Sequence, residues 1–184
     1  MTSEQATRAT LGALTEAGVP HMVTGGLVAN AYGIARFTKD ADIVLQVEEG
    51  TFTAFIRALP AELVLDPQVT FETMTGSKRH ILTLKGSPFQ IELFFLGSDA
   101  FQQERFGRRV RRYLPDPDVE AWVATPEDMI VQKVRWNRDK DRDDARNIIA
   151  VQEGHLDWPY IQLWCDTHGT RERLEALRQS IPPL

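Results

Sequence analysis

The sequence predicts an α/β (α+β) fold, a mixed β-sheet flanked by helices and followed by a helical C-terminal segment. Three observations carry that expectation. Short apolar runs alternate with helix-period segments over the first 120 residues or so. An apolar run at residues 21–24 ends in Gly25-Gly26, and a second strand-like run starts with Asp40-Ala41-Asp42. From Thr125 onward, helix-start signals follow one another to the end of the chain. The expected division is a core over residues 1–120 and a helical region over 121–184 packed on it.

Residues 4–17 repeat apolar positions at helical spacing, and Gly18 is a natural stop. Residues 21–24 form a short strand, 27–34 a helix with Leu27, Ala31 and Ile34 on one face, and 40–47 the second strand. A second amphipathic helix is expected over 50–59. Beyond Pro60 the pattern turns β-rich, with 69–73 and 80–85 facing each other across Gly76-Ser77 as a hairpin. FQIELFFL at 89–96 is apolar enough to lie inside a sheet. Residues 99–106 read as a short helix, and 108–113 and 119–123 as edge strands. Thr125-Pro126-Glu127-Asp128 combines an N-cap, a proline at the first helical position and acids in the first turn. Further helices fit 141–152, a segment from Asp157-Trp158-Pro159 to Gly169, and 170–179.

Composition narrows the function classes. A chain of 184 residues with 42% hydrophobic and 9% aromatic residues buries a real core. Its net charge of −5 argues against sequence-independent coating of nucleic acid. The single cysteine, Cys165, excludes an internal disulfide framework and a cysteine-rich zinc site. No stretch has the roughly 20 apolar residues of a membrane span, and the start lacks the pattern of a signal peptide. The expectation is a cytoplasmic protein with no membrane partner.

The chemistry concentrates in HMVTGGLVANAYGIARFTKDADIVLQV. Side chains alternate along a strand, so Asp40 and Asp42 present two carboxylates from one face. Such a pair suits Mg²⁺, which takes one or two protein carboxylates and leaves its other positions to water and substrate phosphates. Glycines that close a strand and open a helix let backbone N–H groups approach a phosphate. Together these elements point to a nucleoside triphosphate (NTP) and its cation. On FQIELFFL, Glu92 alternates with Ile91 and Leu93 and so turns off the apolar face.

Gly-Gly, helix, Asp-x-Asp and a later acid on a strand resemble the DNA polymerase β-type nucleotidyltransferase superfamily. GGLVANAYGIARFTKDAD and TPEDMIVQKVRWNRDKDRDDA resemble, more narrowly, small bacterial nucleotidyltransferases of abortive-infection and toxin–antitoxin systems. The resemblance covers residues 10–152. It implies a nucleotidyltransferase fold and transfer of NMP from an NTP to a hydroxyl, with release of pyrophosphate. It also implies Asp40, Asp42 and Glu92 as catalytic and metal-holding residues for Mg²⁺ or Mn²⁺. Thr24, Gly25, Gly26, Arg36, Thr38 and Lys133 are the implied nucleotide-binding residues. The candidate acceptors are tRNA, a partner protein and a small molecule, and an antitoxin is a candidate partner. Glu92 departs from the aspartate usual in the family. Either it still serves as the third acid, or the chain is a catalytically weak or inactive nucleotide-binding module.

Other features read as structural. The four histidines lack ligand spacing, and Asp141, Asp143 and Asp144 lie on a helix rather than in a calcium loop. Lys140-Asp141 fits a charged turn as well as a site. The tryptophans read as packing residues, and Arg105, Arg108, Arg109, Arg111 and Arg112 as a solvated edge or an RNA-backbone contact.

Overall fold

The computed structural model describes residues 1–48 and 50–181. Helix α1 (Ser3–Glu16) opens on a reciprocal cap, in which the Gln5 backbone N–H donates to the Thr2 hydroxyl and the Thr2 N–H to the Gln5 side chain. Strand β1 (His21–Thr24) runs straight into α2 (Gly25–Tyr32), so the glycine pair is the first turn of the helix rather than a loop before it. The helix expected over 27–34 is therefore displaced toward the N-terminus. Gly33 ends it, and Ile34 lies outside it, 61% exposed. Strand β2 (Asp40–Leu45) carries the aspartates, and α3 (Thr51–Ala58) follows.

A strand absent from the sequence reading, β3 (Leu63–Leu65), pairs antiparallel with β5 (Lys78–Leu84). Its three residues are too few for periodicity to register. The expected hairpin forms with a much shorter first arm: β4 (Thr70–Phe71) pairs with the start of β5. Strand β6 (Gln90–Phe95), α4 (Ala100–Gly107), β7 (Val110–Leu114) and β8 (Val119–Val123) complete the front of the chain.

Strand order is β3-β5-β6-β2-β1-β8-β7, with β4 beside β5. The β2–β6 and β1–β8 pairs are parallel, and the others are antiparallel. Strand β8 is thus not the edge strand that the sequence suggested. It pairs with β1 on one side and β7 on the other, so of these two strands β7 is the one at the edge. The division placed after residue 120 falls inside β8, and the chain leaves the sheet at Val123.

Four α-helices follow among the described residues: α5 (Pro126–Trp136), α6 (Asp139–Gln152), α7 (Trp158–Thr167) and α8 (Arg171–Gln179). Thr125 caps α5 by accepting from the Asp128 backbone N–H, and Asn137 closes it in the left-handed conformation. Helix α5 is central, with Met129, Ile130, Val131 and Val134 all buried. Helix α2 packs against β1, β2, α5 and α6. The opposite face of the sheet carries α3, whose Phe52 packs on His80 and Phe95. Among the described residues no helix is long and apolar enough to cross a membrane.

Candidate active site

The β2–β6 register sets Asp42 directly beside Glu92, and the β1–β2 register sets Thr24 beside Asp42. Asp40, two residues before Asp42, shares its face. The three acids therefore stand on one side of the sheet, at the point where β1 turns into α2. They line a cleft of ≈ 320 Å³ together with Gly26, Arg36, Arg79, Lys133, Arg138 and Lys140. Phe71, Met74, Phe94 and Trp136 supply its apolar walls.

The glycines are required by close approach. Gly25 has φ +68°, and a Cβ placed on it would lie 1.7 Å from Asp42 Oδ2. A Cβ on Gly26 would lie 2.6 Å from the Thr38 hydroxyl. That hydroxyl donates to Asp40 Oδ1 at 2.8 Å, so Thr38 orients the first aspartate. Gly25→Ala is expected to displace the Asp42 carboxylate, cutting nucleotide binding and activity at least about tenfold and destabilising the fold by over about 1 kcal/mol. Activity assays and urea denaturation would check both halves, and a variant equal to wild type in both would deny the close approach.

Burial, first, and then the negative charges of Asp40 and Glu92 push the Asp42 carboxyl up from 3.8 to about 7, while Lys133 and Lys140 act the other way. Negative charge gathered in this way is a site that a cation relieves. Asp40 and Asp42 fit the two-carboxylate demand of Mg²⁺. Among the described residues no group of three or more His, Cys, Asp or Glu side chains converges as metal ligands. Glu92 has another partner: its Oε2 accepts from Arg79 at 3.0 Å.

The fold stands independently of this chemistry. No protein-family model matches the chain, and no curated protein matches it. Solved structures do. The antibiotic-resistance factor ANT(2'')-Ia superimposes with a TM-score of 0.58 at 14% identity, over 96% of this chain and 95% of that one. The same factor in complex with adenylyl-2''-tobramycin gives 0.56 at 14%, over 94% and 99%. An antigenic nucleotidyltransferase-like protein from Paracoccidioides brasiliensis gives 0.53 at 15%, over 100% and 95%. The fold is that of the nucleotidyltransferases.

Within this nucleotidyltransferase fold, the positions singled out in the sequence divide into two groups. Asp40, Asp42, Glu92, Gly26, Arg36 and Lys133 all line the cleft. Thr24 is buried, with its hydroxyl turned to the Met129 sulfur at 3.4 Å. Arg36 and Lys133 reach the cleft wall as members of an ion network. Arg36 grips Asp144 with two hydrogen bonds, at 2.6 and 2.7 Å, and its backbone is clasped on both sides by Asn30 of α2. Lys133, 2% exposed, donates to Asp144 at 2.8 Å and to Asp141 at 3.1 Å. Arg138 closes the network on Asp141 at 2.6 Å.

Asp141 and Asp144 are thus the counter-ions of the site, a role that their helical spacing did not reveal. Of the pair Lys140-Asp141, the aspartate turns inward and the lysine stays exposed at the cleft. Arg79, Arg138 and Trp136 also escaped the sequence reading. The basic run is not one solvated strand. Arg105 is buried on Gln132, Arg108 lies over Tyr160 and Arg109 over Phe106, while Arg111 beside Glu120 and Arg112 over Tyr32 stay exposed. Trp122 is 38% exposed on β8 rather than packed in the core. His80 lies on the other face of the sheet, among aromatic rings.

Proposed function

We propose that this chain is a nucleotidyltransferase that moves NMP from an NTP to a hydroxyl acceptor. The observation that carries the reading is the convergence of Asp40 and Asp42 with the Gly25-Gly26 helix start at one cleft. Asp40 and Asp42 would hold Mg²⁺ or Mn²⁺, which supplies charge neutralisation at the phosphates. The start of α2 faces the triphosphate with free N–H groups. The acceptor oxygen attacks the α-phosphorus, the bond to the β-phosphate breaks, and pyrophosphate departs. The acceptor's proton passes to the carboxylate cluster. Thr38 keeps Asp40 in place, and the network on Asp144 and Asp141 holds Arg36 and Lys133 at the wall.

ANT(2'')-Ia is described with an adenylylated aminoglycoside, and a small hydroxylated acceptor is the reading favoured here too. The walls of this cleft carry Arg79, Arg138 and Lys140, while the Glu72 carboxylate is engaged by the Met74 and Thr75 backbone N–H groups. That balance suits a neutral or anionic acceptor better than a polycation. A partnership with an antitoxin rests on the motif resemblance alone. A second reading, a nucleotide-binding module without turnover, is favoured by one observation, the engagement of Glu92 by Arg79.

The test is transfer from each of four α-³²P-labelled NTPs, with Mg²⁺ or Mn²⁺, into tRNA, lysate protein and a small-molecule extract. An Asp40→Ala/Asp42→Ala protein is the control. Label moved by wild type alone is the expected result and identifies the acceptor class. Nucleotide binding without transfer into any pool would favour the module.

A further inference from the structure

On the site face of the sheet, Arg79 of β5 reaches diagonally across to Glu92 of β6. Ile81 is the residue directly opposite Glu92, and Arg79 stands opposite Phe94. The guanidinium is fixed at two points: Nε donates to the Thr70 hydroxyl at 2.9 Å, and one terminal nitrogen donates to Glu92 Oε2 at 3.0 Å. A guanidinium has five N–H groups. The remaining three have no hydrogen-bond partner among the described residues, and the side chain lines the cleft with Asp42 and Phe94. A planar, permanently charged donor fork, held at its base and open toward the cleft, matches a phosphate.

We infer that Glu92 serves as the positioning residue for Arg79 and not as a third cation ligand, and that Arg79 is a phosphate-contacting residue of this site. The inference rests on the nucleotidyltransferase reading and changes its charge arrangement. Cation-binding carboxylates are then limited to Asp40 and Asp42. The positive charge beside Glu92 is a fixed guanidinium aimed at the triphosphate. The departure from aspartate at position 92 follows, because a longer side chain reaches the neighbouring strand's arginine.

The experiment measures two affinities that do not depend on turnover. Mn²⁺ is titrated into the nucleotide-free protein by paramagnetic resonance, and α,β-methylene NTP analogues are titrated with Mn²⁺ by calorimetry. The proteins are wild type, Glu92→Gln, Arg79→Ala, Arg79→Lys and Asp42→Asn, each with its melting temperature recorded. Glu92→Gln keeps an oxygen for Arg79 but loses the charge, so both of its affinities are expected within about threefold of wild type. Arg79→Ala is expected to lose at least about tenfold in nucleotide affinity without losing Mn²⁺ affinity. Arg79→Lys, which keeps charge but not the fork, should fall between, and it carries the comparison if Arg79→Ala melts low.

A tenfold loss of Mn²⁺ affinity in Glu92→Gln would make Glu92 a ligand and overturn the inference, as would unchanged nucleotide affinity in both Arg79 variants. The underlying reading has its own control. If Asp42→Asn binds Mn²⁺ and nucleotide like wild type, the carboxylate pair is not the site, whatever Arg79 does. Absence of nucleotide binding by wild type removes both.

Discussion

Asp42→Asn is expected to lower transfer by about 10³-fold or more and, in the same protein, to raise the melting temperature of the cation-free form at pH 8. The activity loss follows from removing one of the two carboxylates available to a cation. The stability gain follows from the raised pKa. The Asp42 carboxyl titrates near 7 in the folded chain against 3.8 as its ordinary value, because burial and then the charges of Asp40 and Glu92 disfavour its ionised form. Between those values the folded state binds the extra proton, so stability falls as pH rises. The penalty is absent below about 3.8, grows through the interval and is complete above about 7. An amide has no such penalty. Its advantage is on the order of 2–4 kcal/mol at pH 8, or roughly 4–16 °C for a chain of this size, and it shrinks toward pH 5. Melting curves at the two pH values test this directly. A variant that is less stable than wild type at pH 8 would show that Asp42 is not held against its own charge.

Lys133→Ala is expected to act first on stability. Lys133 is buried between Asp144 and Asp141, and its removal leaves those two buried carboxylates with fewer counter-charges. Breaking a buried pair from one side costs about 3–5 kcal/mol, which corresponds to a fall of roughly 6–20 °C in melting temperature. Burial works against both aspartates, yet each stays below the ordinary carboxylate range. Asp144 is held there chiefly by hydrogen bonds from Arg36 and the charge of Lys133, and Asp141 chiefly by Arg138 and then Lys133. Their contribution is present above about pH 3.8 and is lost as pH falls below it. Urea denaturation and NTP calorimetry on the same variant separate the two roles. An unchanged unfolding midpoint together with weakened NTP binding would return Lys133 to direct phosphate contact.

What the sequence made legible is what it encodes locally. Gly25, Gly26, Asp40 and Asp42 fall within 18 residues, and strand alternation alone puts both aspartates on one face. The face of Glu92 was readable in the same way, because Ile91 and Leu93 flank it. That β6 lies beside β2, so that Glu92 meets Asp42, depends on a parallel pairing across the intervening strands and has no local signal. The same holds for β8, which looked like an edge because its partner β1 lies about a hundred residues earlier. The counter-ions were hidden for a related reason. Asp144 and Asp141 sit in a run of charges that reads as an exposed helix, and only packing of α6 against α5 and α2 turns two of them inward. Arg79 has no local signal of its own, and it is the β5–β6 register that brings it to Glu92.

The clasp between Arg36 and Asp144 bears on how such a protein can be inherited. The loop that delivers Asp40 is tied by Arg36 to an aspartate 108 residues further along, and Gly33 lies so close to Ile148 and Asn147 that a Cβ would meet their backbone at 3.1–3.2 Å. The glycine–aspartate motif and the helices behind it are halves of one hinge-less unit. A recombination event that exchanged the front of the gene for that of a distant homologue would import the carboxylates without the residues that hold their loop. Drift on α6 is therefore bound to drift at residues 33–36, and sequence change here is expected to travel in pairs.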